Sequence, residues 1–244
     1  MDLKILPDHQ SVIAYAAQLI IESIIANPKI VLGTATGRTM DDLYKLLSRA
    51  HTVDKIDFSA VSTFNLDEFI GLAPEDTNSY RHYMNQNLFK NTNIKIANTF
   101  LPNGIAPDLD REAQAYEAKI RTHGGIDLQI LGIGENGHIG FNEPGSALDS
   151  RTRPAQIAPE TVAQIAPLFG NETLVPRRAI TIGIATILDA KRIVLLATGP
   201  NKTRILAQTI TGPVSTTVPA SALQKHPNCL IIADKAAARE LQAA

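Results

Sequence analysis

The sequence predicts an α/β fold, a mostly parallel sheet covered on both faces by helices. Apolar strand-like runs alternate with helix-like segments along the 244 residues. Two of those runs end in small-residue turns that pass straight into a helix, Gly33-Thr34-Ala35-Thr36-Gly37 and Thr198-Gly199-Pro200-Asn201. With 44% hydrophobic residues and no repeat or linker, the chain is expected to form one domain over residues 1–244.

The first helix is the apolar stretch Val12 to Ala26, with Val12, Tyr15, Ala16, Leu19 and Ser23 on one face. Gln18 and Glu22, and its length, make it a docking helix rather than a membrane span. Lys29 to Leu32 is a β run, and the first small-residue turn joins it to a helix from about Thr39 to Arg49. Ala60 to Asn65 is the next strand, leading into a loop through Leu66-Asp67-Glu68. A helix covers Asn78 to Phe89, with Thr77 and Asn78 as cap candidates. Asp108 caps the next, with Glu112 in its first turn and Gly124-Gly125 as its stop. Then come strands at Ile126 to Leu131 and Ala179 to Ile182, a helix near Ala185 to Ala190, and a strand at Ile193 to Ala197. A helix over Lys202 to Ile210 and a strand at Cys229 to Ala233 close the chain. Ser146 to Arg178 is the least regular stretch, interrupted by prolines; a mobile lid and a passive surface loop fit it equally.

Lys+Arg total 23 against 24 Asp+Glu, so no global field recruits nucleic acid or an anionic membrane. An anionic ligand must be held by a few placed groups. The single cysteine, Cys229, lies in an apolar run and is expected to be a small buried hydrophobe. It makes no internal disulfide, which fits a reducing cytoplasm. Met1 to Asp8 has neither the basic start nor the cleavage site of a secretory signal.

The most informative segment is Leu131 to Pro144, where four glycines, two Asn, a His and two Glu crowd a turn at the end of a buried strand. Open α/β sheets hold ligands at such strand ends. Gly132-x-Gly134-x-x-Gly137 fits the dinucleotide fingerprint, but that fingerprint needs a helix opening at its last glycine. Gly140 and Pro144 follow instead, so no dinucleotide is expected and the chemistry falls to Asn136, His138 and Glu143. Glu143 bonded to His138 would fix its tautomer and raise its basicity. No His-Glu-x-x-His or cysteine pair accompanies them, so no metal is expected. The other histidines (His9, His51, His82, His123, His226) are expected to be solvated or capping residues.

Thr36, Gly37, Arg38 and Thr39 form the first corner, where backbone N–H groups and a helix dipole favour a phosphate. Lys202 opens the helix at the second corner. Two such corners suit a phosphorylated small molecule, although a tight βα turn also explains each. Asp67, beside Glu68 and among Phe64, Leu66, Phe69 and Ile70, is a carboxylate pressed against the core. Its pKa should be raised, fitting it to take a proton from carbon, with solvated surface acids as the alternative.

Leu32-Gly33, Thr36-Gly37, Thr63 to Phe69, Gly134 to Pro144, and Leu223-Gln224 with His226-Pro227 together resemble the glucosamine-6-phosphate deaminase family, over about residues 1 to 240. The resemblance implies a modified Rossmann-like fold and conversion of glucosamine 6-phosphate and water to fructose 6-phosphate and ammonia, with no cofactor or metal. It makes Asp67 the base between C2 and C1 and His138 the ring-opening group. Glu143 and Asn136 would tune that histidine, and Thr36, Gly37, Arg38, Thr39 and Lys202 would hold the phosphate. Some members carry Asp where Asn136 stands, so Glu143 must supply the charge. Members usually carry an Arg before a lid Phe, where this chain has Pro167-Leu168-Phe169, and Arg38 is the candidate replacement. Ala155 stands where the allosteric branch has a basic residue, and that branch's C-terminal extension is lacking, so the resemblance is to the short, non-allosteric branch. A monomer or small homo-oligomer is expected. Rival readings are a galactosamine-6-phosphate deaminase/isomerase, a 6-phosphogluconolactonase and a sugar-phosphate sensor without turnover.

Overall fold

The computed structural model describes residues 1–241. The chain opens with β1 (Asp2–Leu6), an edge strand that the sequence does not announce, and α1 (His9–Ala26). Asp8 caps α1 by accepting the Ser11 N–H at 2.8 Å. Its inner face is Val12, Ile13, Ala16, Ala17, Leu19, Ile20 and Ile24, so Tyr15 and Ser23 are only half-buried, contrary to expectation. The buried stripe is broad because α1 packs against both the sheet and the next helix. Next come β2 (Val31–Thr34), α2 (Arg38–Thr52) and β3 (Ser62–Asn65). The β2 strand begins two residues after the predicted start, since Asn27 caps α1 and the turn through Lys29 follows.

After β3 the chain makes β4 (Asp67–Phe69), α3 (Tyr80–Asn87), β5 (Thr99–Phe100), α4 (Leu109–Thr122) and β6 (Leu128–Gly132). Residues 66–68 are therefore not the loop that was expected. The α3 cap is Ser79, not Thr77 or Asn78, because Asp76 first forms its own turn, accepting the N–H groups of Asn78 and Ser79. Asp108 caps α4 as expected, accepting the Arg111 N–H at 2.9 Å. The remainder is β7 (Arg153–Gln156), α5 (Pro159–Phe169), β8 (Arg178–Thr181), α6 (Ile184–Leu188), β9 (Arg192–Ala197), α7 (Thr203–Thr211) and β10 (Cys229–Asp234).

Seven strands form one parallel sheet in the order β1-β10-β9-β6-β2-β3-β5. From β2 the chain winds outward through β3 to β5, then returns to β6 on the other flank of β2 and winds outward again. The reversal between β2 and β6 leaves a crevice at their C-terminal ends, the usual ligand position in such sheets. Both strands end there in the glycine-rich turns noted in the sequence. Cys229 is buried on β10, and burial pushes its thiol up to about 12, so it is an inert core residue.

A second, three-stranded antiparallel sheet, β4-β8-β7, was not predicted. Leu66 is the single residue between β3 of the first sheet and β4 of the second: its N–H donates to Thr34 O at 3.0 Å on the first, and its carbonyl accepts the Ile182 N–H at 2.7 Å beside the second. This sheet has its own small core of Phe69, Phe141, Ile157, Val162, Phe169, Val175 and Ala179. Phe69 lies 5.4 Å from Phe169 edge-on and 5.5 Å from Phe141. The irregular stretch 146–178 thus resolves into β7 and α5, with α5 pinned over the crevice by Val162 and Phe169. No described helix is long and apolar enough to cross a membrane.

Candidate active site

Elements of both sheets converge on a cleft of about 650 Å³ at the crevice. Thr36, Gly37, Arg38, Thr39, Asp67, His138 and Lys202 all line it. Asn136 and Glu143 stand behind His138 and touch it rather than the cleft. All nine residues singled out in the sequence are thus close in space, seven on the cleft wall and two behind it.

Asp67 is 5% exposed. Its backbone is held by β4–β8 pairing opposite Thr181, and the preceding Asn65 is clamped to β2 by the Thr34 hydroxyl, which donates to Asn65 Oδ1 at 2.8 Å. The Tyr116 hydroxyl donates to Asn65 O at 2.8 Å. Burial raises the Asp67 carboxyl to about 8; the Glu68 charge adds to the rise, and a hydrogen bond from Phe141 N–H opposes it. Gly140 allows this approach. At φ +56 it takes a backbone conformation costly for other residues, and a Cβ there would stand 3.3 Å from Asp67 Oδ2.

Glu68, its neighbour, points the other way. Its Oε1 accepts the N–H groups of Phe69 and Tyr80 at 2.9 Å, and its Oε2 accepts that of Arg81 at 2.8 Å. It fastens the start of α3 and has no free face toward the cleft. Among the described residues, no group of three or more His, Cys, Asp or Glu is placed to hold a metal ion.

His138 Nδ1 lies 3.2 Å from Glu143 Oε2 and 3.3 Å from Thr161 Oγ1 of α5. Asn136 Nδ2 donates to the same Glu143 oxygen at 2.8 Å and to Glu160 Oε1 at 3.2 Å, while its Oδ1 accepts the His138 N–H at 3.1 Å. Burial alone would raise the Glu143 carboxyl. Hydrogen bonding and attraction from His138, with Thr161 and Asn136, outweigh it and hold the group below its ordinary value. With Nδ1 engaged by Glu143 and Thr161, Nε2 is left as the ring nitrogen for acid–base work. Gly134 makes room for the ring: a Cβ there would fall 2.3–2.5 Å from the imidazole atoms Cε1, Nδ1 and Nε2.

At the other end of the cleft, Lys202 faces Arg38. Burial lowers the Lys202 pKa first, Glu135 opposes this, and the Arg38 charge lowers it further. Two cations facing one concave end are relieved by an anion between them. The first corner is braced from below by the Tyr83 hydroxyl, which donates to Asp41 Oδ1 and lies 3.2 Å from Gly37 O. The α5 side of the cleft presents Gln164, Ile165, Pro167 and Leu168, so this part of α5 brings no cation. Lys202→Ala should raise KM with a loss of ~1.5–3 kcal/mol in kcat/KM, and Arg38→Ala a comparable amount. An unchanged KM in Arg38→Ala would remove Arg38 as the replacement for a lid arginine.

Two histidines depart from expectation. His226 is buried, with Nε2 2.7 Å from Ala190 O and Nδ1 accepting the Asn228 N–H at 3.1 Å. It is a structural clamp. His9 lines the cleft itself, between Asp42 and Thr198. Tyr80 also lines it, its hydroxyl held far above its ordinary pKa, first by burial and then by the Asp67 charge.

A buried carboxylate, a tuned histidine and a cationic corner around one crevice define a sugar-phosphate enzyme of α/β build. The chain belongs to the family described as glucosamine-6-phosphate isomerases/6-phosphogluconolactonase, whose model matches residues 7–232. A glucosamine-6-phosphate deaminase of Halothermothrix orenii is 51% identical over 223 residues, 91% of this chain and 92% of that one. One of Rhodopirellula baltica is 47% identical over 238 residues, 98% and 95% of the two chains. A solved structure, a monomeric glucosamine-6-phosphate deaminase, is 39% identical, covers 98% of this chain and 99% of its own, and superposes with a TM-score of 0.96.

Proposed function

We propose that the chain deaminates glucosamine 6-phosphate, giving fructose 6-phosphate and ammonia from substrate and one water. The observation that carries the reading is Asp67: a buried carboxylate raised to about 8, in the same cleft as the His138–Glu143 pair. Hydrolysis of a lactone needs no base at carbon, so this carboxylate favours the isomerising branch of the family. The relatives at 47–51% identity carry the deaminase name, which supports the same reading.

In this reading, Lys202 and Arg38 hold the phosphate with the hydroxyls and N–H groups of Thr36 to Thr39. His138, backed by Glu143 and Asn136, transfers a proton at the ring oxygen and opens the pyranose. Asp67 then takes the C2 proton and returns it at C1 through an enolamine, leaving an imine at C2; water adds there and ammonia leaves, which completes the balance. No step calls for a metal or cofactor. Residues 1–244 work as one domain, as a monomer or small homo-oligomer, and the monomeric structural relative supports the smaller state.

Ammonia release from purified protein decides the activity. Glucosamine 6-phosphate should turn over and galactosamine 6-phosphate should be poor; the reverse order would assign the other epimer. No release from either would overturn the reading. Substrate saturation should be hyperbolic and unaffected by N-acetylglucosamine 6-phosphate, because an effector acts only through differential affinity. Ala155 supplies no charge for one, and Arg153 is already engaged with Asn142 Oδ1 at 2.8 Å and Ser146 Oγ at 3.1 Å. A sigmoidal curve straightened by that compound would contradict this.

A further inference from the structure

Three side chains at the phosphate end of the cleft have no part in the mechanism above: His9, Asp42 and Thr198. They come from distant points of the chain. His9 opens α1, Asp42 lies in the second turn of α2, and Thr198 follows β9 at the head of the second corner. His9 Nε2 lies 3.2 Å from Asp42 Oδ2, and its Nδ1 lies 3.0 Å from Thr198 Oγ1. The imidazole thus ties the corner that carries Arg38 to the corner that leads to Lys202, and all three side chains line the cleft. The α5 residues that line the same cleft are uncharged.

We propose that His9 is a positioning residue of the phosphate subsite, turning the Thr198 hydroxyl toward a bound phosphate and adding a positive charge behind it. The substrate's identity rests on the deaminase reading; the chemistry needs only a phosphate. Ionised Asp42 only accepts, so Nε2 carries a proton. The state of Nδ1 then decides where the Thr198 hydroxyl points. An unprotonated Nδ1 takes the hydroxyl hydrogen for itself. A protonated Nδ1 donates to Oγ1 and frees that hydrogen for a phosphate oxygen. Phosphate, an acceptor and an anion, favours the second state, so its binding draws a proton from solvent onto Nδ1.

The surrounding charges are consistent with this coupling. Asp42 on α2 and Asp8 at the head of α1 favour the imidazolium, with Asp234 of β10 further back, bonded to the Gly199 N–H. Lys45, 2.9 Å from Asp42 Oδ1, opposes it. Arg38 and Lys202, on the same cleft wall, oppose it until a phosphate dianion lies among them.

Titration calorimetry of the full-length protein with inorganic phosphate, near neutral pH in two buffers of different ionisation enthalpy, tests this. His9→Ala should weaken phosphate binding roughly tenfold, since the pair is partly exposed. It should also take up fewer protons per phosphate than wild type, a difference in which phosphate's own ionisation cancels. KM for the hexosamine 6-phosphate should rise by a similar factor, with kcat within about twofold. His9→Gln keeps a donor toward Asp42 without the charge; it should hold the thermal midpoint and still lose the proton uptake. An unchanged phosphate affinity in folded His9→Ala overturns the proposal, and if that variant does not fold, His9→Gln decides. Weakened binding with wild-type proton uptake also overturns it, reducing His9 to a brace. Wild-type protein that binds phosphate but releases no ammonia overturns the deaminase reading instead, and the calorimetry still decides His9.

Discussion

Asp67→Asn should lower kcat by roughly 10²–10⁴ with KM nearly unchanged, the usual worth of a positioned base. Asn keeps the shape of the side chain and its place between Gly140 and Thr181, and removes only the ability to take the proton. The pH dependence distinguishes this role from a packing role. Burial lifts the Asp67 carboxyl from 3.8 to about 8, so the ionised base becomes available as pH rises through about 8, and kcat/KM should climb with it. Stability should move the opposite way. Below pH 3.8 the group is neutral in both the folded and unfolded chain. Between 3.8 and about 8 the folded protein keeps a proton that the unfolded chain has lost, so this contribution falls with rising pH and is gone above about 8. Asp67→Asn should therefore gain thermal stability relative to wild type as pH rises across that window. Near-normal turnover in the variant would remove Asp67 from the mechanism, and a flat stability difference would remove the raised pKa.

His138→Gln should cost a similar factor, roughly 10²–10⁴ on the cyclic substrate, and much less on an open-chain analogue, which needs no proton transfer at the ring oxygen. Equal losses on both would assign His138 to another step. The histidine depends on its surroundings in two separable ways. Glu143→Gln leaves the ring in place and removes the charge that favours its protonated form, so one limb of the pH–rate profile should move. Gly134→Ala leaves Glu143 intact and drives a methyl group into the imidazole, so it should reproduce the His138→Gln pattern with phosphate affinity preserved.

The parallel sheet was legible because its buried strands are continuous apolar runs with helices between them, and both phosphate corners could be read from their glycines. His138 and Glu143 could be paired in sequence because five residues and a tight turn bring them together. Of the second sheet only β8 was legible, as the apolar run Ala179 to Ile182; its two flanking strands carried no comparable signal. Strand β4 is three residues long, and β7 is Arg153-Pro154-Ala155-Gln156 with a proline inside it. Such strands exist through tertiary pairing rather than propensity or alternation. The same lack of local pattern hid the helix α5, whose Pro167 interrupts the periodicity. His9 was hidden for a different reason: its partners lie 33 and 189 residues away, and a histidine at a helix start is usually unremarkable.

The passage through Leu66 makes the distance between two strand ends a fixed length of chain. Asn65 is bound to the parallel sheet, Asp67 to the antiparallel one, and the residue between them is hydrogen-bonded to both. There is no slack to absorb an added or lost residue. Successive side chains in extended backbone alternate in direction, so a shift of one would turn the Asp67 carboxyl away from the cleft. Substitutions here grade the chemistry; an insertion or deletion switches it off. Changes of length belong instead in the surface turn 73–78, which is largely exposed and lies outside the paired strands of both sheets.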